Sequence, residues 1–204
     1  MARPREFDEA AVLDAAIDRF WLRGYEATSV RDLADEMQIA GASLYNAFGD
    51  KRGLYAKALN RYLDQTFRER IRRIEPTMPP REAIEAFLKE IIKRSLSDKQ
   101  RRGCMLVNSA IESAPFDPGF LSIVAVFLDE VEAFFLRCVT KGQKDGVVTR
   151  AHSASDLAKS LLGILLGIRV LARVRPERAL LEGLLRPVLG LLDDTTSPRS
   201  SPSR

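Results

Sequence analysis

The side chains best suited to chemistry in this chain sit close together, in the stretch AGASLYN at residues 40–46, and the chemistry is recognition of base edges rather than bond cleavage. Gly41 and Ala42 leave a helix backbone free to approach a DNA groove, and the Ala42 methyl suits a thymine methyl. Asn46 offers a hydrogen-bonding partner for an adenine edge or a phosphate, and Ser43 adds a hydroxyl. Ala40 and Tyr45 complete the outward face. No arginine falls on this stretch, so guanine cannot be read in bidentate fashion, and discrimination is expected to rest partly on DNA shape.

These side chains need a rigid carrier. Residues 28–51, TSVRDLADEMQIAGASLYNAFGDK, read as two short helices joined by a tight turn. Thr28 or Ser29 can cap the first, whose apolar residues Val30, Leu33, Ala34 and Met37 share one face. The second covers residues 40–48, with Leu44 and Phe48 one turn apart on its buried side. Two helices so spaced form a helix-turn-helix, whose second helix can enter the major groove. A helix over 8–23 precedes them, capped by Asp8 and stopped by Gly24, with Leu13, Ala16, Ile17 and Phe20 inward. Residues 1–7 form an arm whose Arg3 and Arg5 either reach the minor groove and phosphates or fray into solvent. Arg31 opens the first helix of the pair, and Lys51 and Arg52 follow the second.

Composition narrows the alternatives. The chain has 204 residues and a net charge of +4, but residues 1–60 carry eight Lys and Arg against ten Asp and Glu. The electrostatic part of any DNA binding is therefore expected to be modest. One histidine, His152, and two cysteines, Cys104 and Cys138, leave no basis for a zinc cluster or a disulfide framework. There is no glycine-rich phosphate loop, no G-x-S-x-G and no H-E-x-x-H. Adjacent carboxylates such as Asp129 and Glu130 point in different directions around a helix. No catalytic residue, metal or cofactor is expected. No apolar run reaches the roughly eighteen residues of a membrane span, and the N-terminus lacks a signal-peptide core, so a cytoplasmic location is expected.

The rest of the chain reads as helix. A long helix over 51–75 places Leu54, Ala58, Tyr62 and Phe67 for burial, and its run Arg68, Arg70, Arg72, Arg73 is expected as a solvated face. Pro76, Pro79 and Pro80 then break the pattern and mark the best boundary between two functional halves. Further helices are expected over 80–96, 104–113, 119–144, 154–174 and 179–192, and the Ser/Pro-rich tail 193–204 has no apolar anchor. The fold class is all-α: an arm at 1–7, a three-helix DNA-binding domain at 8–60, and a larger helical regulatory and dimerisation domain at 61–192. The last two helices are apolar on too many sides for surface helices of a monomer. Leu161, Ile164, Leu165, Ile168, Leu181, Leu185 and Val188 are the candidates for a four-helix contact with a second copy, or else the internal core of one subunit. Gly163 and Gly167, four apart, permit close helix approach.

Phe20, Gly24, Tyr25, Thr28, Ser29, Val30, Leu33, Ala34, Ser43, Leu44, Tyr45, Phe48, Lys51 and Leu54 together closely resemble the DNA-binding domain of the tetracycline-repressor (TetR) family. One position departs: Gln38 stands where the family usually has glycine, so the turn is expected to be reshaped. The resemblance implies phosphate contacts from Thr28, Tyr45 and Lys51, a homodimer built on the C-terminal helices, and a palindromic double-stranded operator. It also implies a small-molecule effector held among the middle helices, where Phe87, Ile91, Cys104, Asn108, Phe127, Val131 and Phe134 are the candidates. Asn108 needs a polar partner on an otherwise apolar helix. Cys104, at a helix start beside Arg101 and Arg102, is either a redox-sensitive thiol or a plain buried cysteine. The function expected is a repressor relieved by a small molecule. The alternative is a helical homodimeric interaction module that binds no DNA.

Overall fold

The computed structural model describes residues 7–193. Arg3 and Arg5 of the arm, and the tail beyond Asp193, lie outside the described residues. Every regular element among the described residues is helical: α1 (Glu9–Arg23), α2 (Val30–Met37), α3 (Gly41–Phe48), α4 (Lys51–Leu63), α5 (Glu69–Ile74), α6 (Pro80–Ser97), α7 (Met105–Glu112), α8 (Pro118–Lys144), α9 (Ala154–Val174) and α10 (Arg178–Leu192). A π-helical turn at Asp64–Arg68 joins α4 to α5. Thr66 lies within it and donates its hydroxyl back to the Tyr62 carbonyl at 2.6 Å. No helix among the described residues is long and apolar enough to cross a membrane.

The helix ends follow their caps. Asp8 accepts from the Ala10 amide at 2.9 Å and starts α1. Gly24 ends it at φ 83°, a conformation that a Cβ would strain. Ser29 and Asp32 form a reciprocal capping box at the start of α2. Gln38 ends α2 at φ 54°, ψ 37°. The turn is therefore not reshaped to suit its side chain. It keeps the left-handed conformation, and glutamine bears a strain of about 1–2 kcal/mol that glycine would avoid.

The chain divides into two compact units, but not at the prolines. One unit holds the residues up to Glu69 together with Arg102–Phe127; the other holds Arg70–Arg101 and the residues from Leu128 onward. The first unit is thus larger than the expected 8–60 domain, because α7 and the start of α8 belong to its core. Phe20, Tyr25, Tyr55 and Phe120 pack ring to ring, with centroids 4.8 Å apart for Phe20–Tyr55 and 5.0 Å for Tyr55–Phe120. The Ser109 hydroxyl donates to the Met105 carbonyl at 2.7 Å, which leaves its oxygen to accept from the buried Tyr55 hydroxyl at 2.6 Å. Arg52 grips Asp117 through two hydrogen bonds, at 2.5 and 2.8 Å.

In the second unit, α6, α9 and α10 pack on one another. The Phe87 ring lies against Phe134 and Phe135, at 5.0 and 5.6 Å. Arg70 corrects the expectation of a solvated arginine run. It is buried, donates from Nε to Glu90 at 3.0 Å and lies over the Phe87 ring. A second correction concerns the residues expected to meet a second copy. Leu161, Leu165, Ile168, Leu181 and Leu185 are buried within this unit, and only Ile164 and Val188 are half-exposed. The apolar face that α9 leaves outward is a different one: Gly163, Gly167, Val170 and Val174, at spacings of four, three and four. On α10 the outward apolar residues are Leu180, Leu184, Val188 and Leu191.

Candidate nucleic-acid interface

Helix α3 is held by two buried side chains, Leu44 and Phe48. Its large polar residues, Tyr45 and Asn46, face away from the core. Tyr45 is 53% exposed, which removes it from the core, and Ala42 and Asn46 are exposed beside it. Ala40 is exposed at the N-terminal end, where its backbone caps the helix without a side-chain hydrogen bond. Gly41 and Ser43 are half-buried. A Cβ built on Gly41 would meet no atom within 4 Å, so the first turn presents bare backbone.

No ionisable side chain lies on α3 apart from the Tyr45 phenol. The acidic excess of the first sixty residues is spent elsewhere. Asp14 pairs with Arg61 through two bonds of 2.7 Å, and the Arg61 guanidinium holds its carboxyl below the usual aspartate range. Glu36 pairs with Arg19 at 3.3 Å and Asp18 with Arg102 at 3.0 Å. Asp8, Asp32 and Asp50 cap α1, α2 and α4. These acids are engaged by cations and helix ends, so the local field at α3 is less negative than the count implies.

The cations of the expected interface belong to the helices before and after α3. The Arg31 side chain is 91% exposed and lies 3.9 Å from Asp35 in its own helix. Lys51 is half-buried, with Nζ 4.3 Å above the Tyr25 ring and 3.4 Å from the Glu26 carbonyl. That seat fixes where the ammonium sits while leaving donors for a phosphate. Thr28 needs correction. It is buried, and its hydroxyl donates to the Gly24 carbonyl at 2.8 Å. Its side chain closes the loop between α1 and α2 and does not face outward. Ser29, its neighbour, caps α2.

The effector candidates fall in both units. Phe87, Ile91, Val131 and Phe134 are buried in the second unit, and Cys104 and Phe127 in the first. Asn108 has its expected partner inside the protein, because Nδ2 donates to the Arg102 carbonyl at 3.1 Å. It therefore ties α7 to the preceding loop. Cys104 is buried, with the Tyr62 hydroxyl 3.8 Å from its sulfur. Among the described residues no group of three or more His, Cys, Asp or Glu could hold a metal. The sequence reading missed the Arg52–Asp117 pair. Asp117 was legible as the cap of α8, since it precedes Pro118 and accepts from the Gly119 and Phe120 amides at 2.7 and 3.2 Å. Its partner, 65 residues earlier, was not.

Comparison with known proteins agrees with this geometry. Residues 12–58 match the family model for bacterial regulatory proteins of the tetR family, and residues 80–187 match the tetracyclin repressor-like C-terminal domain. The HTH-type transcriptional regulator YezE of Bacillus subtilis (strain 168) is 32% identical over 197 residues, 95% of this chain and 100% of that protein. The HTH-type transcriptional repressor ComR of Escherichia coli (strain K12) is 27% identical, covering 90% of this chain and 87% of its own length. A cysteine mutant of the TetR family transcriptional regulator CifR, complexed with 26 bp double-strand operator DNA, superposes with a TM-score of 0.82. It is 32% identical, covering 94% of this chain and 100% of that one.

Proposed function

The chain belongs to the tetR family of bacterial regulatory proteins, and from that premise we propose that it is a homodimeric repressor which inserts α3 into a palindromic operator and is released by a small-molecule effector. The observation that carries this reading is the outward face of α3. It is uncharged, small at Gly41 and Ala42, hydrogen-bonding at Asn46, and flanked by the cations Arg31 and Lys51. Bases are read by Ala42, Ser43 and Asn46 through methyl and hydrogen-bond contacts, while Arg31, Tyr45 and Lys51 hold phosphates and fix the register. ComR is named a repressor and the CifR mutant is bound to operator DNA, which supports the same role here. The protein acts in the cytoplasm, where chromosomal DNA is available to it.

A second copy is recruited through the outward face of α9 and α10. Gly163 and Gly167 have nothing within 4 Å of an added Cβ, and Val174 is 71% exposed, so the surface is both shallow and apolar. Two-fold symmetry then demands an operator with two half-sites. Selection of bound sequences from a random duplex pool tests the reading. The expected product is a consensus of two inverted half-sites separated by about one helical turn or a small multiple of it. A pool without enrichment, or a consensus with no internal symmetry, contradicts it.

A further inference from the structure

The second unit carries a groove that DNA recognition does not use. It measures about 560 Å³ and lies between the start of α6 and the last turns of α8. Its floor and walls are Met78, Pro80, Ala83 and Leu136, with Cys138 at the base. The lining is aliphatic and sulfur-bearing, with no aromatic ring, which suits a flexible apolar chain better than a flat one. Burial, and next to it the charge of Glu75, push the Cys138 thiol up to about 12, so it stays protonated and acts as an apolar contact.

The charge along the groove is one-sided. Arg137, Lys141 and Lys144 line it from α8, against a single carboxylate, Glu75. Arg137 is already satisfied: its Nε and Nη2 donate to the two Glu75 oxygens at 2.7 and 2.8 Å. Lys141 and Lys144 are exposed and form no ion pair with another described residue. Two uncompensated ammonium groups therefore stand beside an apolar trough of a size that takes a small molecule. The free cations are lysines, point charges that hold an anion without selecting its shape, so the aliphatic trough beside them sets the choice: an anion that carries an apolar tail.

We propose that this groove binds a small aliphatic monocarboxylate, its carboxylate between Lys141 and Lys144 and its chain over Met78, Pro80, Ala83 and Leu136. The site is independent of the DNA reading, and binding is measured without DNA. The probe is decanoate, titrated calorimetrically below its micelle concentration into the full-length chain, with decyltrimethylammonium as the cation of matched tail. Saturable binding with one decanoate per chain is expected, at least about tenfold tighter than the cation. The K141E/K144E double variant, altered only at exposed positions, should lose about tenfold or more in affinity. Leu136→Glu, which puts a carboxylate on the exposed edge of the apolar wall, should do the same with an unchanged melting temperature. No saturable binding, equal binding of the cation, or decanoate affinity untouched by K141E/K144E would overturn the proposal.

Discussion

Gln38 occupies a conformation that favours glycine, and the strain stays local because its amide still bonds the Ala34 and Asp35 carbonyls. Gln38→Gly should raise stability by up to about 1 kcal/mol, with part of the gain offset by the added freedom of the unfolded chain. Gln38→Val should lower it by a similar amount, and chemical denaturation of both variants checks the sign. Asp117 makes a second residue-scale claim. The Arg52 guanidinium holds its carboxyl well below the ordinary value of 3.8. A carboxyl so depressed contributes stability that is fully present above 3.8 and is lost as pH falls further toward the folded-state value. Asp117→Asn should therefore flatten the acid limb of the stability profile below pH 3.8 while changing its shape little near neutrality. An acid limb of unaltered steepness would show that the pair carries no such linkage. At this scale the sequence was legible where the signal is local, as in the caps Asp8 and Ser29. It was silent where a partner lies far along the chain, as for Arg70 with Glu90, and Tyr55 with Ser109.

Among the elements, α9 and α10 show what periodicity can and cannot decide. Apolar residues on nearly every side announced that both helices are covered on more than one face. The pattern alone could not say which face meets the subunit's own α6 and which is left outward, because apolar residues occupy both. The expectation chose Leu161 and Leu185 for the partner, and those residues turned out to be core. The two faces now predict different failures. Val170→Glu, on the outward face of α9, should leave a folded chain that sediments as a monomer. Leu161→Glu buries a charge in a closed core and should unfold the unit outright, while Leu161→Ala costs about 2–5 kcal/mol. A dimer that survives Val170→Glu would place the subunit contact elsewhere. The π-turn at Asp64–Arg68 escaped the sequence reading, which set Phe67 on the face of Tyr62 five residues earlier; an α-helix would turn them about 140° apart, and the π-turn lets both be buried.

For the whole molecule, an acidic DNA-binding region was the main objection to DNA binding, and the structure answers it by location. Asp8, Asp32 and Asp50 cap helices, Asp14, Asp18 and Glu36 pair with Arg61, Arg102 and Arg19, and α3 carries no acid. Few cations then face phosphate, so affinity should depend on salt less steeply than for a strongly basic reader, by about 0.9 in log–log slope per phosphate neutralised. Lys51→Ala should weaken binding to all sequences alike and shallow that slope by about one per subunit. The packing units were less legible than the functional halves. The prolines at 76, 79 and 80 lie between the two family-model matches, 12–58 and 80–187, whereas the aromatic contacts of Tyr55 with Phe120 draw a later segment into the first unit.

The most direct test places a side chain on the bare first turn of α3. Gly41→Leu has open space around its Cβ and should fold and melt like the parent protein. Fluorescence anisotropy with the selected operator and a scrambled duplex, over a range of salt, should show operator affinity falling toward that of the scrambled duplex by about 1–3 kcal/mol per half-site. Affinity and selectivity equal to the parent protein's would mean that α3 does not lie against the bases.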